Sequence, residues 1–302
     1  MAYKNAVSSM KQPQLTQEHD FWRGSFSAMA SPCEVLMEVD DEPLARAIFT
    51  AVCDEAKRIE QKFSRYRDDN LIFEINNAAG RAVSVDEETA RLIDFSDELF
   101  RISDGLFDIT SGALREVWKF DGSDRVPSPA AIEKVLSKIG WQKVLWKNRQ
   151  LTLQPDMEID LGGVGKEYAV DSCVQIVRGL TDNSVLVNFG GDLAVTCERR
   201  DQGFWSVARL ITGKEHAVSL FELRRGAIAT SGDAFRFLLK DGVRYSHVLN
   251  PKTGCSVPDA PHTVSVAAPT CVEAGMMSTL AMLHGNKAEA FLKLQEMDYW
   301  LD

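Results

Sequence analysis

The sequence predicts an α+β fold of largely antiparallel sheets with flanking helices. Two observations carry that prediction. Segments with helical and with strand periodicity come in mixed blocks, without the regular strand–helix alternation of a doubly wound fold. Neither a short-period repeat nor a low-complexity linker divides the 302 residues, so the length fits one compact unit with a proper core. Residues 21–302 are assigned to that unit, and residues 1–20, polar up to Phe21 and Trp22, to a flexible N-terminal segment.

The elements follow in order. CEVLMEV, residues 33–39, alternates as a strand. Asp40, Asp41 and Pro43 are helix-start signals, and Leu44, Ile48, Val52, Ile59 and Phe63 give the helix one apolar face. Asp86 caps a second helix with Leu92, Phe95, Leu99 and Ile102 inward, and Ser128-Pro129 opens a third that is expected to run through Ile139. VLW at 144–146 and LTL at 151–153 read as a hairpin around KNRQ. Strands are then expected in SVLVNF (184–189), LAVTC, FWSVARL, HAVSLFEL, AIAT, YSHVL and VSVAAP (264–269), the last of them. Helices near 272–283 and 287–297 close the chain.

The stretch MEIDLGGVGKEYAVD, residues 157–171, organises the rest. Ile159 and Leu161 flank Asp160 as in a short buried strand, Gly162, Gly163 and Gly165 make a turn, and Ala169, Cys173, Ile176, Val177 and Leu180 recur at helical spacing. Glycines let a backbone approach a ligand closely, and a helix start favours an anion. Lys166 adds a cation there. The glycine spacing fits neither the phosphate loop of nucleoside triphosphatases nor the dinucleotide fingerprint.

Composition excludes some classes. A net charge of −10 argues against general nucleic-acid binding, which needs a basic face. The six cysteines form no C-x-x-C pair, so neither a zinc ribbon nor a thioredoxin site is suggested, and reduced, buried cysteines are expected. No run reaches the length of a membrane span, and the first residues lack the apolar core of a signal peptide. With Met1 as the natural start, the chain is expected in the cytoplasm.

Five polar clusters stand at the ends of apolar segments: SDGLFD with Asp104 and Asp108, the Asp160 turn, NFGGD with Asn188 and Asp192, ATSGD with Thr230 to Asp233, and SHVLNPKTG with His247 and Lys252. SGD and PKTG are common turn sequences, and a lone histidine after a strand serves structure as readily as chemistry. Together the clusters mark a site built on loops, though composition does not name its reaction.

The same residues resemble the FAD:protein FMN transferases, the ApbE family. FSAMAS resembles the family's opening strand motif, with Ala30-Ser31 where Gly-Thr is usual. FSRYRDDN, SDGLFDITSGAL, IDLGGVGKEYAVD, VNFGGD, AIATSGD and SHVLNPKTG resemble later blocks in the family's order, over roughly residues 25–285. The resemblance implies an ApbE-like (T-fold-like) architecture with a flavin cleft between two halves. It implies an enzyme that cleaves FAD, attaches FMN to a Ser or Thr hydroxyl of a target flavoprotein and releases AMP, with magnesium in support. Carried over position by position, Met29, Tyr66, Leu106, Phe107, Asp108, Asp160, Gly163, Lys166 and Leu249 are the expected FAD contacts. His247 is the candidate base, since imidazole titrates near working pH.

The implied metal site departs from the family pattern. The resemblance places the Gly163 carbonyl and Thr279 among the ligands, with an aspartate four residues before the threonine; here that position is Gly275. Glu273 points to another helix face, and Asp192 or Asp233 could substitute. Gly275→Asp is expected to raise metal affinity and activity. Three readings stay open: a transferase with a rebuilt metal site, an FAD-binding protein without transfer, and a hydrolase giving FMN and AMP.

Overall fold

The computed structural model describes residues 12–210, 218–233 and 236–302. Its centre is an antiparallel sheet of eight strands whose spatial order follows the chain: β1 (Gln14–Gln17), β2 (Trp22–Ala28), β3 (Ser31–Met37), β4 (Val185–Phe189), β5 (Asp192–Val195), β6 (Ala227–Gly232), β7 (Thr263–Ala268) and β8 (Asp298–Leu301). Alternation along each strand sorts the side chains between two layers. Cys33, Val35, Met37, Val185, Val187, Phe189, Ala227 and Ala229 face one side and join the main core. Leu186, Leu193, Val195 and Ile228 face the other, under a hairpin of Trp205–Leu210 with Val218–Leu223.

Helices cover the first face. Helix α1 (Glu42–Phe63) lies on β2 and β3, and Asp41 Oδ1 accepts from Leu44 N at 2.9 Å as its cap. After α2 (Leu71–Asn76), α3 (Glu87–Ile102) starts where Asp86 Oδ1 accepts from Thr89 N. Helix α4 (Pro129–Leu136), capped by Ser128, stops short of Ile139: Lys138 N and Ile139 N bond three residues back, to Val135 O and Leu136 O, as a tighter turn that leads into Gly140, whose φ is 134°. Helix α5 (Gly165–Arg178) packs on β4, β5 and α1. Helix α6 (Cys271–Leu283) packs on β6, β7 and α5, and α7 (Ala288–Leu294) packs on α6.

A second, smaller core joins Ala113, Leu114, Trp118, Ile132, Val135, Ile139 and Leu238. It links the 3-10 turns of Ile109–Glu116, α4 and the hairpin Phe237–Lys240 with Val243–Ser246. The SDGLFDITSGAL segment runs from the main core, which takes Phe107 and Ile109, into this lobe, which takes Ala113 and Leu114. In the whole, the α+β class, the antiparallel sheet and the flanking helices match expectation.

Several local expectations change. The run from Ile159 to Leu161 is not a strand. Its backbone bonds go to loops instead: Ile159 N donates to Asn76 Oδ1 at 2.8 Å and Asp160 N to Ile109 O at 2.8 Å. The hairpin of Leu145–Lys147 and Gln150–Thr152 gains a third strand, Val83–Ser84. VSVAAP is followed by one more strand, β8, which begins where the last expected helix ends. The first residues of HAVSLFEL, 216 and 217, lie outside the described residues. At the end of the segment expected to be loose, Gln14–Gln17 pairs along β2.

Candidate active site

The 157–171 stretch is bonded to several of the other motif segments. Asp160 Oδ1 accepts from Gly162 N at 2.9 Å, which tightens the glycine turn, and Asp160 Oδ2 meets Arg65 Nη1 at 2.5 Å. Arg65 in turn donates to Tyr66 Oη at 2.9 Å and lies over the Tyr66 ring at 5.0 Å. The Tyr66 side chain, 81% exposed, is thereby presented to solvent as a flat surface held by its neighbour rather than buried in a core. Asp160 Cβ also sits 2.7 Å from where a Cβ on Gly112 would fall, so only glycine fits at 112.

Across the turn, the Phe107 ring stands 3.4 Å from where a Cβ on Gly163 would point. Phe107 is buried and Leu106 half-buried against the main core. Asp108 follows them and is committed to structure: Oδ1 accepts from Thr110 N at 2.7 Å and Thr110 Oγ1 at 2.6 Å, while Oδ2 accepts from Trp141 N at 3.0 Å. The SDGLFD loop is tied to the PKTG turn by Lys252 Nζ on Asp104 Oδ2 at 2.8 Å, and that turn follows Leu249, which packs against the smaller core. Loops from both cores thus meet here.

Helix α5 begins directly after the glycines, and no side chain caps its first turn. Lys166 forms an ion pair with Asp192 Oδ2, and Asp192 Oδ1 accepts from Thr230 N at 3.1 Å, so NFGGD and ATSGD both join the site. Burial works against the ammonium charge, but the Asp192 and Glu167 carboxylates outweigh it and raise the Lys166 pKa. Lys166 is therefore a fixed cation at a helix start, where an anion is favoured.

His247 lies between the two expected extremes of structural and free. Its ring meets the Phe120 edge at 6.2 Å and its backbone N donates to Arg236 O, yet buried Nδ1 has no hydrogen-bond partner. Burial first, then the Arg236 charge, pulls the imidazole down to about 4, with a further push from Lys166. It is neutral at neutral pH, as a proton acceptor must be.

Met29 lies on the β2–β3 turn. Met29 (φ 51°) and Ala30 (φ 54°) are both left-handed, as a two-residue turn that matches strand twist requires. That geometry explains why glycine suits position 30, and Ala30→Gly is expected to stabilise the fold by about 0.5–1 kcal/mol by relieving the left-handed penalty. Urea unfolding of the two proteins side by side checks it; a less stable glycine variant would contradict it.

At the expected metal site, Thr279 Oγ1 is 3.0 Å from Ser231 Oγ, and Ser278 Oγ donates to Gly275 O at 2.9 Å. Asp233 is engaged with Arg244 at 2.9 Å and with His262, and Asp192 with Lys166, so neither aspartate is at hand as a substitute. Glu167, which no motif singles out, is the residue that matters here. It is buried, its Oε2 has no hydrogen-bond partner, and burial together with Asp192 raises its pKa. Its side chain fills the space beside Gly275: a Cβ there would stand 2.5 Å from Glu167 Cγ and 2.9 Å from Oε1. The new side chain of Gly275→Asp would collide with it, which revises the expectation that aspartate at this position alone restores the site. Among the described residues, no group of three or more His, Cys, Asp or Glu side chains is arranged as a metal site.

A roomy concavity, about 540 Å³, lies away from these loops, among Trp22, Glu38, Arg199 and Arg200. Both arginines are already paired there, with Asp20, Glu38 and Asp40, and none of the clustered loops lines it.

The ApbE family pattern matches residues 29–301. The FAD:protein FMN transferase of Salmonella typhimurium (strain LT2) is 31% identical over 236 residues, 74% of this chain and 67% of that protein. The FAD:protein FMN transferase of Escherichia coli (strain K12) is 31% identical over 237 residues, 75% of this chain and 68% of that protein. The crystal structure of the ApbE protein of Thermotoga maritima superimposes with a TM-score of 0.84 at 29% identity, over 93% of this chain and 94% of that one. The flavinyl transferase ApbE of Pseudomonas stutzeri, apo form, gives a TM-score of 0.81 at 24% identity, over 97% and 92% of the two chains, a likeness of fold. Among the described residues no helix is long and apolar enough to cross a membrane. With the family pattern matching residues 29–301 and relatives 31% identical over about three quarters of the chain, this chain belongs to the ApbE family.

Proposed function

We propose that this chain is an FAD:protein FMN transferase that moves FMN from FAD to a Ser or Thr hydroxyl of a target flavoprotein. The observation that carries the reading is a fixed cation, Lys166, on the first turn of α5, whose charge is felt by a neutral imidazole with an unpartnered nitrogen, His247, on the loop after the Val243–Ser246 strand. The flavin end would lie on the exposed Tyr66 face and against Met29, Leu106, Phe107 and Leu249. Lys166 and the start of α5 would draw the pyrophosphate. Asp108 and Asp160 then act chiefly by fixing the loops that carry Phe107 and Tyr66.

In the transfer, the acceptor oxygen bonds to the FMN phosphorus as the bond from that phosphorus to the bridging oxygen breaks. AMP leaves with that oxygen. His247 takes the hydroxyl proton, and Lys166 offsets charge on the phosphate oxygens. Magnesium, when bound, would supply further charge compensation on those oxygens. The Gly163 carbonyl and Thr279 hydroxyl would hold it, together with a carboxylate. Unpaired cysteines agree with a cytoplasmic setting, which is part of this proposal.

The experiment is product analysis with FAD, magnesium and an acceptor flavoprotein, preceded by calorimetric titration with FAD and FMN. FAD is expected to bind more tightly than FMN, and AMP to appear with covalent flavin on the acceptor. Equal or absent binding of both flavins would overturn a dinucleotide site. Binding without products would make the chain an FAD-binding protein, and AMP with free FMN a hydrolase.

A further inference from the structure

We propose that the metal-binding carboxylate of this protein has moved between helices, so that Glu167 on α5 takes the part of the side chain missing at Gly275 on α6. The inference rests on the transferase reading for the identity of the bound phosphates, but its geometry stands alone.

Helix α6 presents Gly275 and, one turn later, Thr279, to the same side. The space that a side chain at 275 would fill is occupied, because Glu167 Cγ and Oε1 lie 2.5 and 2.9 Å from the position of a Cβ there. Glycine is therefore required at 275 by the glutamate opposite. The two helices are held in that register by Asp171, also on α5, whose Oδ1 and Oδ2 accept from Cys271 N at 2.8 Å and Val272 N at 2.9 Å at the start of α6. A glutamate reaching across from a neighbouring helix delivers its carboxylate to the point a shorter aspartate on α6 would reach.

The chemistry points to a cation. Glu167 is buried and its Oε2 has no hydrogen-bond donor. A buried carboxylate oxygen without a partner is strongly unfavourable. The adjacent ammonium, Lys166, is committed to Asp192. Hydroxyls gather at the same helix: Ser231 Oγ contacts Thr279 Oγ1, and Ser278 Oγ is turned onto Gly275 O. With the Thr279 hydroxyl and the Gly163 carbonyl, Glu167 would make up an all-oxygen set. Hard divalent cations such as magnesium or manganese prefer such a set, and one or two carboxylates beside substrate phosphates are enough.

The test is manganese binding, read by loss of the free-ion electron paramagnetic resonance signal with and without FAD, on four proteins: wild type, Glu167→Gln, Gly275→Asp, and the double variant Glu167→Ala with Gly275→Asp. Wild type is expected to bind one manganese ion per chain, more tightly with FAD. Glu167→Gln keeps shape and removes charge, so it should fold while weakening manganese by at least about 10–100-fold, the range that even outer-shell changes produce. Gly275→Asp alone should be poorly folded or weak in manganese. The double variant removes the collision and returns a carboxylate to α6, so it should regain affinity to within about tenfold of wild type, a reciprocity that simple disruption would not give. Manganese affinity unchanged in Glu167→Gln, or a double variant no tighter than Glu167→Gln, would overturn the proposal. FAD calorimetry on the same proteins separates the two readings: loss of FAD binding in wild type counts against the transferase, whereas intact FAD binding with no manganese uptake counts against Glu167.

Discussion

Replacing His247 with Ala is expected to lower the rate of FMN transfer by about 10²–10⁴, the usual yield of a positioned general base, while leaving FAD affinity close to that of the wild type. The side chain is neutral at neutral pH, its Nδ1 is unpartnered, and it lies near enough to Lys166 to feel its charge. Its lowered pKa also fixes a pH signature. A free imidazole near 6.5 would switch off the base below that pH, whereas a group at about 4 stays unprotonated. The profile of kcat/KM should therefore be flat from pH 7 down to about pH 5, with the acid limb below. Rates across that range, measured for wild type and His247→Ala, check both halves. An unchanged rate in the variant would make His247 a packing residue and move the base to a carboxylate.

Lys166→Met should lower the free energy of unfolding by about 3–5 kcal/mol, because it leaves buried carboxylates without their cation. Asp192 is 2% exposed and paired to Lys166, and Glu167 is buried beside it. Adding Asp192→Asn to the same variant removes the orphaned Asp192 charge and should recover a good part of the loss, so the two substitutions are expected to be non-additive. Urea midpoints of the two single variants and the double measure it. A loss under about 1 kcal/mol in Lys166→Met would show that the charges are screened as at a surface. FAD affinity in the same variant should fall as well, since the helix start loses its charge.

Much of this protein was legible along the chain. The caps at Asp41, Asp86 and Ser128 start the helices the sequence marked, because capping is a contact between residues three apart. Five of the eight strands of the main sheet were visible as short alternating or apolar runs, which record a sheet buried on one or both faces. Two of the misses show what the chain alone does not record. Ile159 to Leu161 has the composition of a strand, but its hydrogen bonds go to Asn76 and Ile109 in distant loops. Strand β8 is four residues long at the sheet edge, too short for periodicity to show.

The candidate site divides in the same way. Residue types and motif order were enough to propose Lys166, His247 and the glycine turn as parts of one site, since each motif is a local segment whose chemistry is carried by neighbours in sequence. The family resemblance marked Gly275 as the position where a carboxylate is expected, and helical spacing puts 275 on the same face as 279. Whether the loss is made good is a question about two helices. Glu167 looks like an ordinary helical residue in GKEYAVD, and nothing in spacing or periodicity says which side chain it meets. Only the packing of α5 on α6, pinned by Asp171, brings its carboxylate into the space that Gly275 leaves open. Side-chain contacts between helices depend on register and crossing, which are set by the whole core and not by any one segment.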